Sequence, residues 1–321
     1  MALATPVVFL IFNRPHLTRK VFQAIADAKP ATLLVVADGP RFPEEARRCA
    51  EARAVLNSIN WDCRVLKNFS DGNLGCRTCV SSGLTWAFTH VDRAIILEDD
   101  CLPSPSFFSF CDTLLHQYYD DRRVMEIGGC NPQLGQSRTR YSYYFSRHSH
   151  TWGWATWQRA WMHYDKDIMH WPRIKRTQQW QNMWEERKER EYWETILDRV
   201  YKGEIDTWDY QWQLALWCNN ALSAVPNLNL ISNLGCGRGA THTRFRSHVL
   251  AELPLRNLDI ISHPLEVKRN EEADDFYFYK IVLGTQLRRL ARSIRYVVQL
   301  VHQRIIGRGR SWVLNRKQYL T

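Results

Sequence analysis

The first hundred residues alternate between short apolar runs and longer segments with helical periodicity. Four runs predict buried strands because each is short and ends at a turn signal or a polar cluster: TPVVFLIFNRP, ATLLVVADGP, DCRVLKN and RAIILEDD. Three segments between them predict helices: HLTRKVFQAIADA, PEEARRCAEARAVLNSI and RTCVSSGLTWAFTHV. A further charged segment, TQQWQNMWEERKEREYWETILDRV, predicts one long helix. The order βαβαβαβ with short connections favours an α/β fold, with a mostly parallel sheet flanked by helices.

Polar clusters follow three of the predicted strands. They are Asn13–Arg14, Asp38 and Glu98–Asp100. Ligands of such sheets bind at the carboxyl ends of strands, so their convergence predicts a site, although any strand must end in something polar. Three adjacent carboxylates repel one another and predict a cation beside them; their oxygens suit Mg²⁺ or Mn²⁺, which bridges diphosphates. The GxGxxG and GxxxxGK[ST] fingerprints of dinucleotide and P-loop sites are absent.

Composition indicates an ordinary globular protein with 45% hydrophobic residues. The amino terminus lacks the pattern of a signal peptide, and no apolar run approaches the roughly 18 residues of a membrane span. Nine cysteines, an odd number, favour reduced thiols, and Cys76 and Cys79 have no second pair at zinc spacing. These features predict a cytoplasmic location.

The net charge of +10 belongs to the carboxyl-terminal tail, because no Asp or Glu follows Phe276 whereas ten Lys and Arg do. An apolar stripe over residues 280–306, with Arg residues off the stripe, predicts a basic amphipathic helix. Such a helix either lies peripherally on an anionic membrane surface, at the inner face of the cytoplasmic membrane, or packs on the preceding domain. The rest of the chain has no basic excess, which excludes nucleic acid as a partner of the body.

Six motifs occur in an order that resembles a known family: VVFLIFNRPHLTRKVFQAI, VVADGP, AIILEDD, WGWATW, TWDYQW and NLGCGRGATHT. Together they resemble the inverting nucleotide-sugar glycosyltransferases of GT-A fold, in particular the N-acetylglucosaminyltransferase I type and its bacterial sugar transferases. The resemblance implies a GT-A (Rossmann-like) domain over residues 1–250, with a nucleotide-sugar-binding half, 1–125, and an acceptor and catalytic half, 126–250. Residues 251–321 are then a carboxyl-terminal extension that carries the basic helix.

Residue roles follow from the same resemblance, and EDD corresponds to that family's metal-binding DxD motif. It implies that Arg14 contacts the donor diphosphate, Asp38 the base, and Glu98 and Asp99 the ribose or the donor sugar. Asp100 is then a ligand of Mn²⁺ or Mg²⁺. Further nucleotide-sugar contacts are implied at Phe12, Asn13, Arg77, Trp154, Trp208, Arg238 and His242.

The catalytic base implied by the resemblance is Asp209. An inverting transfer is a direct displacement that needs a base for the acceptor hydroxyl and a charge sink for the leaving diphosphate. The position of Asp209 between Trp208 and Trp212 is also that of a residue that starts a helix, and Asp206 is the alternative base. The glycine-rich stretch from Gly235 to His242 can approach phosphates closely, where His242 contacts the diphosphate or ligates the metal.

These observations predict a metal-dependent inverting glycosyltransferase. It would move a sugar from a nucleotide-sugar donor, with UDP-sugars favoured, to a glycan or lipid-linked acceptor in bacterial surface polysaccharide assembly. Two alternatives stay open: a sugar nucleotidyltransferase, and a non-catalytic protein that binds glycans through its many tryptophans.

Overall fold

A computed structural model describes residues 2–235, 250–251 and 253–285 of the chain. Contacts divide the chain into a body, Met1–Asp274, and a second unit, Asp275–Thr321. In the second unit, Tyr277–Leu283 adopt π-helical geometry, and the rest of the amphipathic helix predicted to continue to residue 306 lies outside the described residues. Within the described part of the chain, no helix is both long and apolar enough to cross a membrane.

The fold is mixed α/β, with a large central sheet between helices. In chain order, the described strands are β1 Val7–Ile11, β2 Thr32–Ala37, β3 Arg64–Phe69, β4 Arg93–Glu98, β5 Cys101–Pro103, β6 Val124–Gly128, β7 Tyr143–Ser146, β8 Trp154–Trp157, β9 Leu222–Pro226 and β10 Ile231–Asn233. Eight form one sheet in the order β3-β2-β1-β4-β8-β6-β9-β7, whereas β5 and β10 form a small antiparallel pair. Four of the seven pairings in the large sheet are parallel, which agrees with the predicted mostly parallel sheet.

Helices cover both faces of this sheet. They are α1 Pro15–Ala28, α2 Ala46–Arg53, α3 Cys76–Ala87, α4 Pro105–Gln117, α5 Gln158–Trp161, α6 Trp171–Ile174, α7 Gln178–Asn182, α8 Arg187–Tyr201, α9 Asp209–Cys218 and α10 Glu271–Phe276. Every residue of β1 is buried, and alternate side chains enter different hydrophobic clusters: Val7, Phe9 and Ile11 on one face, Val8 and Leu10 on the other. A strand covered on both faces reads as a continuous apolar run, which is why the sequence revealed it.

The first four strands of the chain pair in parallel, in the order β3-β2-β1-β4. Ile11 is level with Ala37 of β2, and Leu10 is level with Glu98 of β4. The ends of β2, β1 and β4 therefore meet at one edge of the sheet, as the sequence predicted.

Two predicted helices are divided in the structure. Residues 43–58 form a 3₁₀ turn, α2 and a second 3₁₀ turn, and the segment predicted as one charged helix contains α7 and α8, separated by residues 183–186. The prediction of one long charged helix was wrong because Trp184, between α7 and α8, is buried against Trp180 and Trp217. Burial of a large aromatic ring outweighs the small intrinsic preference for continuing a helix.

Candidate active site

Arg14 joins the ends of β1 and β4. Its Nη1 donates to Asp100 Oδ2 at 2.7 Å, and its Nη2 forms an ion pair with Asp99. The Asp99 and Asp100 side chains are 2% and 11% exposed, so this guanidinium neutralises two carboxylates in a site largely removed from water. The chain itself therefore places one cation, Arg14, beside two of the three acids.

Glu98 is the third carboxylate of this cluster. Burial, followed by the charge of Asp100, raises the pKa of Glu98 to about 8, with Arg14 acting against the shift. Burial likewise raises the pKa of Asp99 to about 6 despite its contact with Arg14. Burial alone would lower the pKa of Arg14, yet the charges of Asp99 and Asp100 raise it above its ordinary value. One guanidinium therefore does not offset the burial of all three adjacent acids.

The backbone after β10 closes against this cluster. The Leu234 N–H donates to the Asp100 carbonyl at 2.8 Å, and the Gly235 N–H donates to Asn233 Oδ1 at 2.8 Å. A Cβ on Gly235 would lie 1.9 Å from Asp100 Oδ2 and 2.9 Å from Arg14 Nη1, so only glycine allows this approach. The glycine-rich stretch thus begins at the acidic cluster, although Arg238 and His242 themselves lie outside the described residues.

The residues directly after β1 are anchored on both sides. The Phe12 N–H donates to Asp99 Oδ2 at 3.3 Å, and Asn13 Nδ2 donates to Glu45 Oε1 at 2.8 Å. Arg41 pairs with the same Glu45 and stands over the Phe12 ring, 5.5 Å from its centroid. Asn13 therefore fixes the loop before α2.

Asp38, at the end of β2, accepts hydrogen bonds from the loop that follows β2 and from the loop before α3. Its Oδ1 accepts the N–H groups of Gly39 and Leu74 at 2.8 Å each, and its Oδ2 accepts Asn73 Nδ2 at 2.9 Å. Burial raises the pKa of Asp38, while the backbone donors act against the shift. The structure places Asp38 at the predicted edge, and its contact with a nucleotide base stays a prediction.

Asp209 lies at the first residue of α9, where it is held by local hydrogen bonds. Its Oδ1 accepts the Thr207 hydroxyl and the Tyr210 N–H, the latter at 3.0 Å, whereas none of the hydrogen bonds among the described residues uses its Oδ2. Its charge contributes to the raised pKa values of Glu98 and of Cys76 at the start of α3. The structure thus brings Asp209 into the electrostatic neighbourhood of the strand-end acids, over 100 residues away in the chain.

Asp206 occupies a different position, at the amino terminus of α3. Its Oδ1 accepts the Arg77 N–H at 3.3 Å. Gly75, which precedes α3 with a φ of +78°, has no side chain to make that hydrogen bond, so Asp206 takes the part of a capping residue. This engagement distinguishes Asp206 from Asp209.

Two buried polar atoms without described partners belong to residues near Asp209 or linked to it through Tyr164. Within the described residues, Arg77 Nε and the Tyr164 hydroxyl are buried and make no hydrogen bond. Tyr164 is close enough to Asp209 and Arg77 for both charges to act on its pKa, which burial raises, and its ring stacks on Trp161 at 4.3 Å. The sequence reasoning missed Tyr164, since a single tyrosine after a short helix gives no signal.

Trp154 and Trp208 lie beside this site as part of the core. Trp154, on β8, is fully buried and stacks on Trp208 with centroids 5.5 Å apart at 23°. Trp161 and Trp212 complete the cluster. Among the described tryptophans, none is a strongly exposed side chain. Sugar contacts by Trp154 and Trp208 stay predictions, and the buried rings give no support to a glycan-binding surface of tryptophans.

The side chains available as metal ligands can be compared with the predicted divalent ion. No group of three or more His, Cys, Asp or Glu side chains within the described ranges is arranged to hold a metal. Mg²⁺, however, commonly takes only one or two carboxylates together with waters and substrate phosphates. The chemistry of Asp99 and Asp100 fits this mode, but Arg14 contacts one oxygen of each.

Glu126, on β6, is a fully buried carboxylate behind the site. It accepts the His150 N–H at 2.6 Å, the Ser223 hydroxyl at 2.7 Å and Trp212 Nε1–H at 2.6 Å, thereby linking β6, β9 and α9. Burial raises the pKa of Glu126 to about 7. The sequence reasoning missed it, although an acid inside the apolar strand VMEIG was the available signal.

Glu126 is expected to make stability depend on pH. The folded protein holds this proton up to about pH 7, whereas the unfolded chain releases it near about 4.3. The free energy of unfolding therefore falls as the pH rises through this window, by about 2–3 kcal/mol between about pH 5 and 8 from this group. Glu126→Gln should remove that contribution in urea unfolding at the two pH values. Glu51→Gln, at an exposed ion pair, is the matched control. If the unfolding free energy of Glu126→Gln differed between the two pH values as much as that of wild type, the assignment would be refuted.

Neither a protein-family model nor a curated protein matches the chain. Among solved structures, the crystal structure of UDP-glucose pyrophosphorylase complexed with UDP-glucose is similar at a TM-score of 0.27 and 10% sequence identity. The match covers 46% of this chain and 63% of that chain, which is less than two thirds of the latter. A likeness at this level carries no argument about function.

Proposed function

We propose that the chain is a nucleotide-sugar-dependent glycosyltransferase that inverts the configuration of the transferred sugar. The observation that carries this proposal is a charged cluster at the sheet edge on which the charge of Asp209 acts. Arg14 with Asp99 and Asp100 forms a charged cluster at strand ends, and Asp209 lies within electrostatic reach of Glu98. The cluster suits a diphosphate, and Asp209 supplies a base.

The donor diphosphate is assigned to Arg14. A planar guanidinium at the end of β1 can meet two phosphate oxygens at once. Asp100 would hold Mn²⁺ or Mg²⁺, which supplies charge stabilisation to the departing diphosphate. Asp38, Glu98 and Asp99 would contact the nucleoside and the sugar, and UDP-sugars are the favoured donors.

Asp209 is proposed as the base in preference to Asp206. It has an oxygen that no described hydrogen bond uses, while the Thr207 hydroxyl and the Tyr210 N–H orient the carboxylate. In the transfer, Asp209 takes the proton of the acceptor hydroxyl while the acceptor oxygen bonds to the anomeric carbon. The nucleoside diphosphate leaves from the opposite face of that carbon. Asp206, by contrast, is engaged at the start of α3.

The acceptor is proposed from the family resemblance alone. It is a glycan or a lipid-linked sugar of bacterial surface polysaccharide assembly. A cytoplasmic protein that associates peripherally with an anionic membrane through residues 280–306 suits a lipid-linked acceptor, and most of that segment lies outside the described residues.

The donor proposal is tested by thermal denaturation with UDP, GDP and dTDP, each with and without Mn²⁺. We expect one nucleotide to raise the melting temperature further when Mn²⁺ is present. Asp100→Ala should abolish the Mn²⁺-dependent part of the rise, because its carboxylate is the proposed ligand. Asp121→Ala, at a surface ion pair with Arg123, is the control.

An Asp100→Ala protein that responds to Mn²⁺ and nucleotide as the wild type does would disprove the metal assignment. Stabilisation by nucleoside triphosphate, with release of pyrophosphate when a sugar phosphate is added, would instead indicate a sugar nucleotidyltransferase. Stabilisation by glycans without nucleotide or metal would indicate a glycan-binding protein.

A further inference from the structure

Arg14 already contacts the Asp100 carboxylate that a divalent ion would need, together with that of Asp99. Nη1 lies 2.7 Å from Asp100 Oδ2, and Nη2 contacts Asp99 Oδ1, so the guanidinium spans both side chains. The backbone at Gly235 lies against the same Asp100 oxygen and the same Arg14 nitrogen. An ion bound at Asp100 Oδ2 would lie beside the positive guanidinium of Arg14 in a partly buried site, where two cations repel each other more than in water.

We propose that Arg14 is an internal counter-ion of Asp99 and Asp100 that competes with the divalent ion for Asp100 until a nucleoside diphosphate draws its guanidinium away. The diphosphate offers Arg14 a replacement partner of the same geometry, because phosphate oxygens accept the two parallel N–H groups that the carboxylates now accept. Once Arg14 contacts phosphate, the Asp100 oxygen is available to the ion. Metal and nucleotide binding are then positively coupled, and each strengthens the other by the same factor.

The alternative arrangement, in which Arg14 and the ion bind together without competition, has a different consequence. In that arrangement the loss of Arg14 would not improve metal binding in the absence of nucleotide. The inference rests on the proposed metal role of Asp100. Measurements with Mn²⁺ alone distinguish competition between Arg14 and the ion from simultaneous binding of both.

The test measures the affinity of the protein for Mn²⁺ without nucleotide, by the electron paramagnetic resonance signal of free Mn²⁺. Arg14→Met keeps the apolar stem of the side chain and removes its charge. We expect wild type to bind Mn²⁺ alone weakly and Arg14→Met to bind it at least about tenfold more tightly, a difference of about 1.4 kcal/mol. Adding UDP should strengthen Mn²⁺ binding by a larger factor in wild type than in Arg14→Met.

A second pair of variants covers the case in which Arg14→Met does not fold, since it leaves three uncompensated acids. Arg14→Met/Asp99→Asn removes one of these acids, and Asp99→Asn alone is its matched control. The double variant should bind Mn²⁺ alone more tightly than the control.

Equal Mn²⁺ affinities with and without Arg14 would overturn the competition. If wild type still bound Mn²⁺ in the presence of UDP, the proposed function would stand without competition between Arg14 and the ion. If wild type bound no Mn²⁺ even with nucleotide, and Arg14→Met bound none alone, the metal role of Asp100 would fail as well.

Discussion

Asp209→Asn is expected to lower turnover by about 10²–10⁴-fold while the affinity for the nucleotide-sugar changes little. Asparagine has nearly the same size as aspartate, and its carbonyl oxygen can still accept the Thr207 hydroxyl and the Tyr210 N–H. It cannot take a proton from the acceptor hydroxyl. In the proposed mechanism donor binding uses the separate cluster at the strand ends, so titration calorimetry with the donor should distinguish a lost base from a disrupted site.

Asp206→Asn is the comparison variant. Its amide oxygen can still accept the Arg77 N–H at the start of α3, so we expect a modest effect on turnover. Near-normal turnover of the Asp209 variant beside an inactive Asp206 variant would transfer the role to Asp206. The proposed one-step displacement predicts that the anomeric configuration of the product, read by nuclear magnetic resonance, is inverted, and a retained configuration would contradict it.

The strand-end edge was predictable because its signals are local. Buried parallel strands appear in sequence as uninterrupted apolar runs, and in β1 and β4 the polar residues begin where the runs end, at Asn13 and at Glu98. Right-handed crossovers then leave few ways to arrange the first four strands, so their carboxyl ends had to meet.

The partner of the acidic cluster was not predictable in the same way. The sequence indicated a cation beside Glu98–Asp100, and hard carboxylate ligands favoured a metal. The structure places Arg14 there, a residue more than 80 positions earlier that the resemblance assigned to the donor diphosphate alone. Whether a guanidinium reaches a carboxylate depends on the side-chain geometry of two strand ends, which neither segment encodes by itself.

Beyond residue 125 the elements are harder to predict because the sheet becomes mixed and its strands are short. WGWATW gives no clear strand signal, yet Trp154–Trp157 form β8, antiparallel to both β4 and β6, while the sugar contact of Trp154 stays a prediction. Trp184 likewise interrupts a helix whose local pattern is continuous. In both places long-range aromatic packing decides the structure, and periodicity over a short window does not report it.

Trp154→Ala is expected to lower the free energy of unfolding by about 3–5 kcal/mol, as large-to-small changes of buried aromatic residues do. The ring is fully buried and contacts Trp161, Trp208 and Trp212, so its removal opens a cavity within the aromatic cluster beside α9. Urea denaturation at neutral pH measures the loss. Trp86→Ala, at a partly buried tryptophan of α3, should cost less because less apolar surface was buried there.

Trp154→Phe separates packing from sugar recognition. Since Trp154 Nε1 makes no hydrogen bond among the described residues, phenylalanine loses only part of the ring volume and should recover most of the stability. If Trp154 acts through packing alone, the folded Phe variant should bind the nucleotide-sugar as wild type does. A variant of nearly normal stability whose donor affinity falls tenfold or more would instead establish that the indole contacts the sugar, and that the cluster opens when the donor binds.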